Sequence, residues 1–140
     1  MPLLQKRSVR MIKKVIISLF VLFVTMPAFA KRLHCEADYQ QAWCGAQQGV
    51  SEYQLQDLAR IDCLIPQYAV EFDFANKWAE SIGQSLYYGI MTNRTPAVVL
   101  IMENPEKDQK YLDRLNAVAE KHGIKVFTMK SLTDTNIKEE

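Results

Sequence analysis

The sequence predicts an α/β fold in which a mixed sheet lies between layers of helices. Three observations support this class. Residues 68–74 alternate in polarity with the period of a strand, and residues 96–102 form an unbroken apolar run typical of a strand buried on both faces. Residues 108–122 carry apolar side chains at helical spacing and end at Gly123, a common helix C-cap. Strands and helices therefore share one small domain.

The predicted elements follow the order α-β-β-β-α-β-α-β. Glycines 45 and 49 end the first helix, and Pro66 marks a turn between the second and third strands. In chain order, the elements are helix 35–46, strands 51–55, 60–65 and 68–74, helix 76–90, strand 96–102, helix 108–122 and strand 124–129. This order predicts three layers, with helices on both sides of the sheet.

Residues 1–30 have the composition of a cleavable signal peptide. Five basic and no acidic residues precede Lys31, an apolar run covers 15–24, and Ala28 and Ala30 fit the small-residue pattern of a cleavage site. Pro27 interrupts the apolar run before it reaches the roughly 20 residues of a membrane span. An uncleaved anchor is the alternative. We expect export to the periplasm or beyond the cell, with residues 31–140 as one mature domain without a stable membrane anchor.

Removal of the leader changes the charge of the protein. The whole chain has 17 basic and 16 acidic residues, whereas 12 basic and 16 acidic residues remain from position 31 onward. A mature net charge of −4 lacks the strongly basic character of nonspecific nucleic-acid binders.

Three cysteines constrain the mature domain. Cys35 and Cys44 are nine residues apart on one predicted helix and face opposite sides of it. An oxidising compartment therefore favours a disulfide between Cys44 and Cys63, with Cys35 left free.

The strand 68–74 carries the most informative pattern. Its apolar residues share one face, which places Glu71 and Asp73 together on the other. Asp62 lies on the preceding strand, across a tight turn, so that three carboxylates would converge. Such a set suits Mg²⁺ or Mn²⁺, which would activate water and neutralise phosphodiester charge. Solvent-exposed carboxylates at strand edges are the simpler alternative, above all for Asp62.

The next helix carries a polar stripe. Lys77, Ser81, Gln84 and Tyr88 fall within about 60° of one another on a helical projection. The opposite, apolar face contains Trp78, Ile82, Leu86 and Ile90. The stripe is either a solvated surface or part of a site beside the carboxylate-bearing strand.

These segments together resemble the PD-(D/E)XK nuclease superfamily, in particular its RecB-like branch. The resemblance rests on RIDCL, YAVEFDF and KWAESIGQSLYYG, and it covers about residues 35–129. It implies a restriction-endonuclease-like core and a metal-dependent nuclease site. The residues that match its motifs are Glu36, Asp62, Glu71, Gln84 and Tyr88.

Two residues depart from the family pattern. Asp73 stands where the Glu-x-Lys motif has its lysine, and Ile61 replaces the proline of the family name. Lys77 is the candidate for a lysine that has migrated onto the helix. The resulting hypothesis is an exported Mg²⁺- or Mn²⁺-dependent nuclease, with Asp73 as an extra ligand or base and nucleic acid as partner. The alternatives are a degenerate nuclease-fold interaction module and a metal-dependent hydrolase for another substrate. Oligomeric state is left open.

Overall fold

A computed structural model describes residues 31–136, and the predicted signal peptide lies outside these residues. Residues 32–136 lie in one compact unit. The α/β class and the predicted element order are confirmed. The elements are α1 (Glu36–Ala46), β1 (Val50–Gln54), β2 (Arg60–Leu64), β3 (Tyr68–Phe74), α2 (Trp78–Thr92), β4 (Thr95–Ile101), α3 (Pro105–His122) and β5 (Lys125–Met129), with a short 3-10 turn at Ala75–Lys77 before α2.

The five strands form one mixed sheet in the order β1-β2-β3-β4-β5. The β1–β2 and β2–β3 pairs are antiparallel, whereas the β3–β4 and β4–β5 pairs are parallel. This division follows from the connections, because a short turn reverses the chain and a helix returns it to the same direction. Helices α2 and α3 provide the two parallel crossovers.

The two faces of the sheet pack against different helices. Val70, Phe72 and Phe74 of β3 join Tyr39 and Trp43 of α1 in one apolar cluster. The opposite face packs its β4 residues against α2 and α3. The residues of this second cluster include Trp78, Ile82, Leu86, Val98, Leu100, Leu115 and Ala119. The helices thus make three layers. The predicted inward packing of Trp78, Ile82 and Leu86 is confirmed. The prediction was wrong for Ile90, which is 79% exposed near the end of α2.

Helix α3 begins earlier than the sequence pattern indicated. It starts at Pro105 rather than at 108 because Asn104 caps it, with the Asn104 side chain accepting a hydrogen bond from the Lys107 N–H at 3.2 Å. Proline at the first helical position loses no hydrogen bond and already has a helical φ. Among residues 31–136, we find no helix of the length and apolarity that a membrane span requires.

The predicted disulfide is confirmed. Cys44 of α1 and Cys63 of β2 are bonded, with their Cα atoms 5.7 Å apart, and Cys35 is free and exposed. The bond closes a loop with a sequence separation of 19. Closing a loop of this size stabilises a fold by about 3 kcal/mol, mainly by restricting the unfolded chain. It also fixes α1 to β2.

Gly49 provides a test of the packing around this disulfide. A Cβ atom at Gly49 would lie 2.6 Å from Cys63 Sγ and 2.8 Å from Cys44 Sγ. We therefore expect Gly49→Ala to lower the free energy of unfolding by about 1–3 kcal/mol through overpacking. Gly45→Ala is the matched control, since a Cβ there meets no atom within 4 Å and alanine favours the helix by about 0.5–1 kcal/mol. Denaturant unfolding that ranks both variants equally would contradict this account.

Candidate metal and hydrolytic site

Strand β3 places two carboxylates inside the protein. Because its apolar residues face α1, Glu71 and Asp73 point to the α2 side, next to Val98 and Leu100 of β4. Their residues are only 5 % and 2 % exposed. Glu71 Oε2 and Asp73 Oδ2 are buried and have no hydrogen-bond partner among the described residues. An unpartnered buried carboxylate oxygen is costly, so this pair requires an explanation.

Asp62 lies where β2 separates from β3. The ladder pairs Cys63 with Val70 and Leu64 with Ala69, and it does not continue to Asp62. Instead, the Phe72 N–H donates to Asp62 Oδ2 at 2.7 Å. The carboxylate thus replaces a backbone acceptor, and removing it would leave a buried N–H without a partner. Asp62 is half-buried, so it keeps some contact with solvent, whereas Glu71 and Asp73 are buried.

The carboxyl groups of Asp62 and Glu71 perturb each other's pKa. Burial raises the pKa of both groups, and the negative charge of Asp62 further raises that of Glu71. The interaction between the two side chains lowers the pKa of Asp62 in part. Two such close carboxylates cannot both ionise without a compensating cation.

Lys77 supplies one positive charge to this region. Its Nζ lies 3.5 Å from Asp73 Oδ1 and 4.0 Å from Glu80 Oε2. Burial and the negative charge of Glu36 raise the pKa of Asp73 to about 7, although Lys77 lowers it in part. The Asp73 charge in turn raises the pKa of Lys77. The candidate migrated lysine therefore does lie beside the third-strand acid, on the 3-10 turn that leads into α2.

Glu36 of α1 acts electrostatically on the three carboxyl groups. Its negative charge raises the pKa of Asp62, Glu71 and Asp73. Burial raises the pKa of Glu36 itself, although Lys77 and Arg32 partly offset this effect. The acid expected from the family resemblance is thus within electrostatic reach of the other three.

The two α2 residues of the expected motif differ in position. Tyr88 is buried in the apolar cluster that contains Leu64 and Ala69. Burial, followed by the charges of Glu71 and Asp62, raises its pKa to about 12. Gln84 is exposed, and in the described part of the chain no hydrogen bond joins it to the carboxylates. The structure therefore brings Tyr88 near the site, while Gln84 would act only on a ligand that reaches the surface of α2.

The donor set fits a lightly coordinated hard cation. Between residues 31 and 136, no group of three or more His, Cys, Asp or Glu side chains is arranged to hold a metal ion. The ligand set of Asp62, Glu71 and Asp73 consequently stays a prediction. Mg²⁺, however, commonly binds one or two protein carboxylates and completes its shell with water or phosphate. Asp62 and Glu71, with the unpartnered Glu71 Oε2, meet that requirement.

Sequence analysis did not identify Gln40 and Glu52, which contact each other next to the backbone of Asp62. Gln40 of α1 is 6 % exposed, and its Nε2 donates to the Asp62 carbonyl at 2.6 Å and to Glu52 Oε1 at 2.8 Å. One signal was present: Gln40 stands four residues before Cys44, on the helical face that the disulfide directs toward β2. We find no sequence signal for Glu52.

The surroundings of the carboxylates are acidic. Besides Glu36, the charges that act on the site or on Tyr88 include those of Glu52, Asp57 and Glu80. The cations of this region are Lys77, beside Asp73, and Arg32, which lowers the pKa of Glu36. The local charge attracts cations and does not by itself attract a polyanion.

No family model, curated protein or solved structure matches this chain. A function can therefore be inferred only from the residues of the site.

The raised pKa values predict how stability depends on pH. The folded protein holds the Glu71 and Asp73 protons more tightly than the unfolded chain does. The stability that these two groups contribute is therefore fully present below about pH 4, and it is lost as the pH rises to about 7 for Asp73 and to about 10 for Glu71. Glu71→Gln keeps the shape without the charge. We expect its melting temperature at pH 8 to exceed that of the wild type by about 4 °C or more, corresponding to at least about 1 kcal/mol.

At pH 4 the two proteins should melt at similar temperatures, since Glu71 is then largely protonated in the unfolded chain as well as in the folded state. Glu120→Gln, on the exposed surface of α3, is the control and should show no gain. If the melting temperatures of the wild type and of Glu71→Gln depended on pH in the same way, ionisation of Glu71 would not affect stability, and this account would be wrong.

Proposed function

We propose that this protein is an exported, metal-dependent phosphodiester hydrolase that acts on nucleic acid through a PD-(D/E)XK-like core. The observation that carries the proposal is the pair of buried, unpartnered oxygens, Glu71 Oε2 and Asp73 Oδ2, beside Asp62. A domain with a purely structural role gains nothing from three mutually repelling carboxylates in its interior. A cation-dependent site needs them.

Asp62 and Glu71 would hold the cation, Mg²⁺ or Mn²⁺. When bound, it supplies Lewis-acid stabilisation of phosphate charge and a water of lowered pKa. The Phe72 N–H fixes Asp62, since it donates to the carboxylate at 2.7 Å. The protein thereby sets the direction of one ligand before any cation arrives.

Lys77 would neutralise phosphate charge. Asp73 forms an ion pair with the Lys77 ammonium, with Oδ1 and Nζ 3.5 Å apart. The charge of Asp73 raises the pKa of Lys77, so the lysine stays charged at neutral pH. In this arrangement Asp73 orients the lysine rather than replacing it. This role accounts for an acid at the position where the family pattern has its lysine.

Two further observations bear on export and substrate. The disulfide between Cys44 and Cys63 is compatible with an oxidising compartment, which supports export. Nucleic acid as the substrate rests on the motif resemblance and on the affinity of a carboxylate-bound divalent cation for phosphate. Because the site's surroundings are acidic, we expect the substrate to bind only after the cation.

The second candidate function is an interaction module that has retained the fold without the chemistry. The acidic surroundings favour it, because a basic surface would be expected around a nuclease site. Such a module would bind a cationic partner and would not require Mg²⁺. Metal binding and hydrolysis separate the two functions.

Metal binding can be tested by thermal unfolding of the purified protein. Mg²⁺ or Mn²⁺ should raise the melting temperature of the wild type, because a ligand that binds only the folded state stabilises it. The rise should be larger at pH 8 than at pH 5.5, since the carboxyl groups of Asp62 and Glu71 must lose their protons to bind a cation. Asp62→Asn is the informative variant, because its amide oxygen can still accept the Phe72 N–H while the charge is lost. We expect it to fold and to lose most of the metal-dependent shift.

Hydrolysis can be tested with labelled single- and double-stranded DNA and with RNA. We expect Mg²⁺- or Mn²⁺-dependent cleavage that Asp62→Asn lowers at least 100-fold, since several kcal/mol of transition-state stabilisation depend on the cation (each ~1.4 kcal/mol being tenfold). Lys77→Met should lower the rate, whereas Lys107→Met, in the first turn of α3, should not. An unshifted melting temperature together with no metal-dependent cleavage would instead favour the interaction module.

A further inference from the structure

Asp62 lies at an interruption of the sheet on both of its sides. The β1–β2 ladder pairs Ser51 with Cys63 and Tyr53 with Ile61, and it omits the pair between them, Glu52 and Asp62. On the other side, the β2–β3 ladder ends at Cys63 and Val70. A strand residue normally has its position set by ladder hydrogen bonds. Asp62 has no register partner in either neighbouring strand.

Two side-chain contacts hold Asp62 at this interruption of the sheet. The Phe72 N–H donates to the Asp62 carboxylate, and Gln40 Nε2 donates to the Asp62 carbonyl at 2.6 Å. Both acceptors of Gln40 are oxygens, which fixes the orientation of its amide group. Gln40 is nearly fully buried, so water is poorly placed to substitute for it. The disulfide at Cys63, the next residue along β2, anchors the same helix to the same strand.

Glu52 holds the other end of this contact at a conformational cost. Its φ is 54°, a left-handed conformation that a non-glycine residue rarely adopts within a strand. In this conformation, Glu52 Oε1 accepts from Gln40 at 2.8 Å and Glu52 Oε2 lies 3.4 Å from Arg60 Nη1. Backbone strain of this kind persists where surrounding contacts require it. Glu52 is exposed, so core packing does not account for the distortion.

We propose that Gln40 and Glu52 are positioning residues, which fix the backbone of Asp62 and so direct its carboxylate toward the cation site. This inference rests on the proposed metal-dependent function. Neither residue touches the cation or the substrate: Gln40 acts through the Asp62 carbonyl, and Glu52 acts through Gln40. Loss of a hydrogen bond that holds a metal ligand in place commonly lowers metal affinity by about 10–100-fold.

Two variants and two matched controls test the proposal with Mn²⁺ alone as the ligand. Gln40→Met removes the amide at similar volume, and it should weaken Mn²⁺ binding about 10-fold in isothermal titration. Glu52→Gly removes the acceptor and also relieves the left-handed strain. It should weaken Mn²⁺ binding while its melting temperature stays equal or rises.

The first control is Leu58→Gly. Leu58 has a φ of 72° and is 72 % exposed in the β1–β2 turn, so glycine relieves strain there without a change at the site. Its Mn²⁺ affinity should equal that of the wild type. The second control is Glu52→Gln, which keeps an acceptor oxygen and should retain most of the affinity. A merely structural role for Glu52 would give both glycine variants the same Mn²⁺ affinity, and that result would overturn the proposal.

Amide hydrogen exchange at Phe72 gives a readout that does not depend on metal. Gln40→Met should lower protection of this amide, because a displaced Asp62 no longer accepts from it, while Val99 in the sheet centre stays protected. Wild type that binds no Mn²⁺ would overturn the proposed function, and Phe72 protection would still decide the positioning role. Wild type that binds Mn²⁺, with Gln40→Met unchanged in both affinity and protection, would overturn the positioning role alone.

Discussion

The alternation of β3 constrains the whole site. Because Val70, Phe72 and Phe74 are committed to the core under α1, Glu71 and Asp73 must face α2, where apolar side chains from β4 surround them. No register shift can release these carboxylates to solvent, since a shift by one residue would only move them under α1 and turn the apolar set toward α2. The charges therefore stay buried, and the neighbouring elements have to accommodate them.

Each neighbour makes a different accommodation. Strand β2 separates from β3 after Cys63, which admits the Asp62 carboxylate as acceptor for a backbone N–H. The 3-10 turn before α2 places Lys77 beside Asp73. Within the described residues, neither contact satisfies Glu71 Oε2. The remaining imbalance is the physical basis for a cation at Asp62 and Glu71, and it sets the scale of the pH dependence.

Much of this arrangement could be predicted from local sequence. Period-2 alternation predicts the two faces of β3, because it depends only on neighbouring residues along one strand. Helical geometry places Cys35 and Cys44 on opposite sides of α1, which favours the Cys44–Cys63 pair. The hydrogen bond of Asp62 depends instead on two strands moving apart, for which the sequence has no periodic signal. The left-handed backbone of Glu52 likewise could not be predicted, since nothing at that position favours it over an ordinary strand.

The disulfide lies next to the candidate site. Cys63 directly follows Asp62, and Cys44 stands one turn beyond Gln40 on α1, so the bond closes a short path that includes both residues. Without it, α1 would be held to β2 by side-chain packing and by the Gln40 contacts. Because Gln40 donates to the Asp62 carbonyl, a movement of α1 would reach Asp62 through this contact. The bond between Cys44 and Cys63 therefore does more than stabilise the fold: it fixes the helix that carries Gln40, and it is compatible with an oxidising compartment.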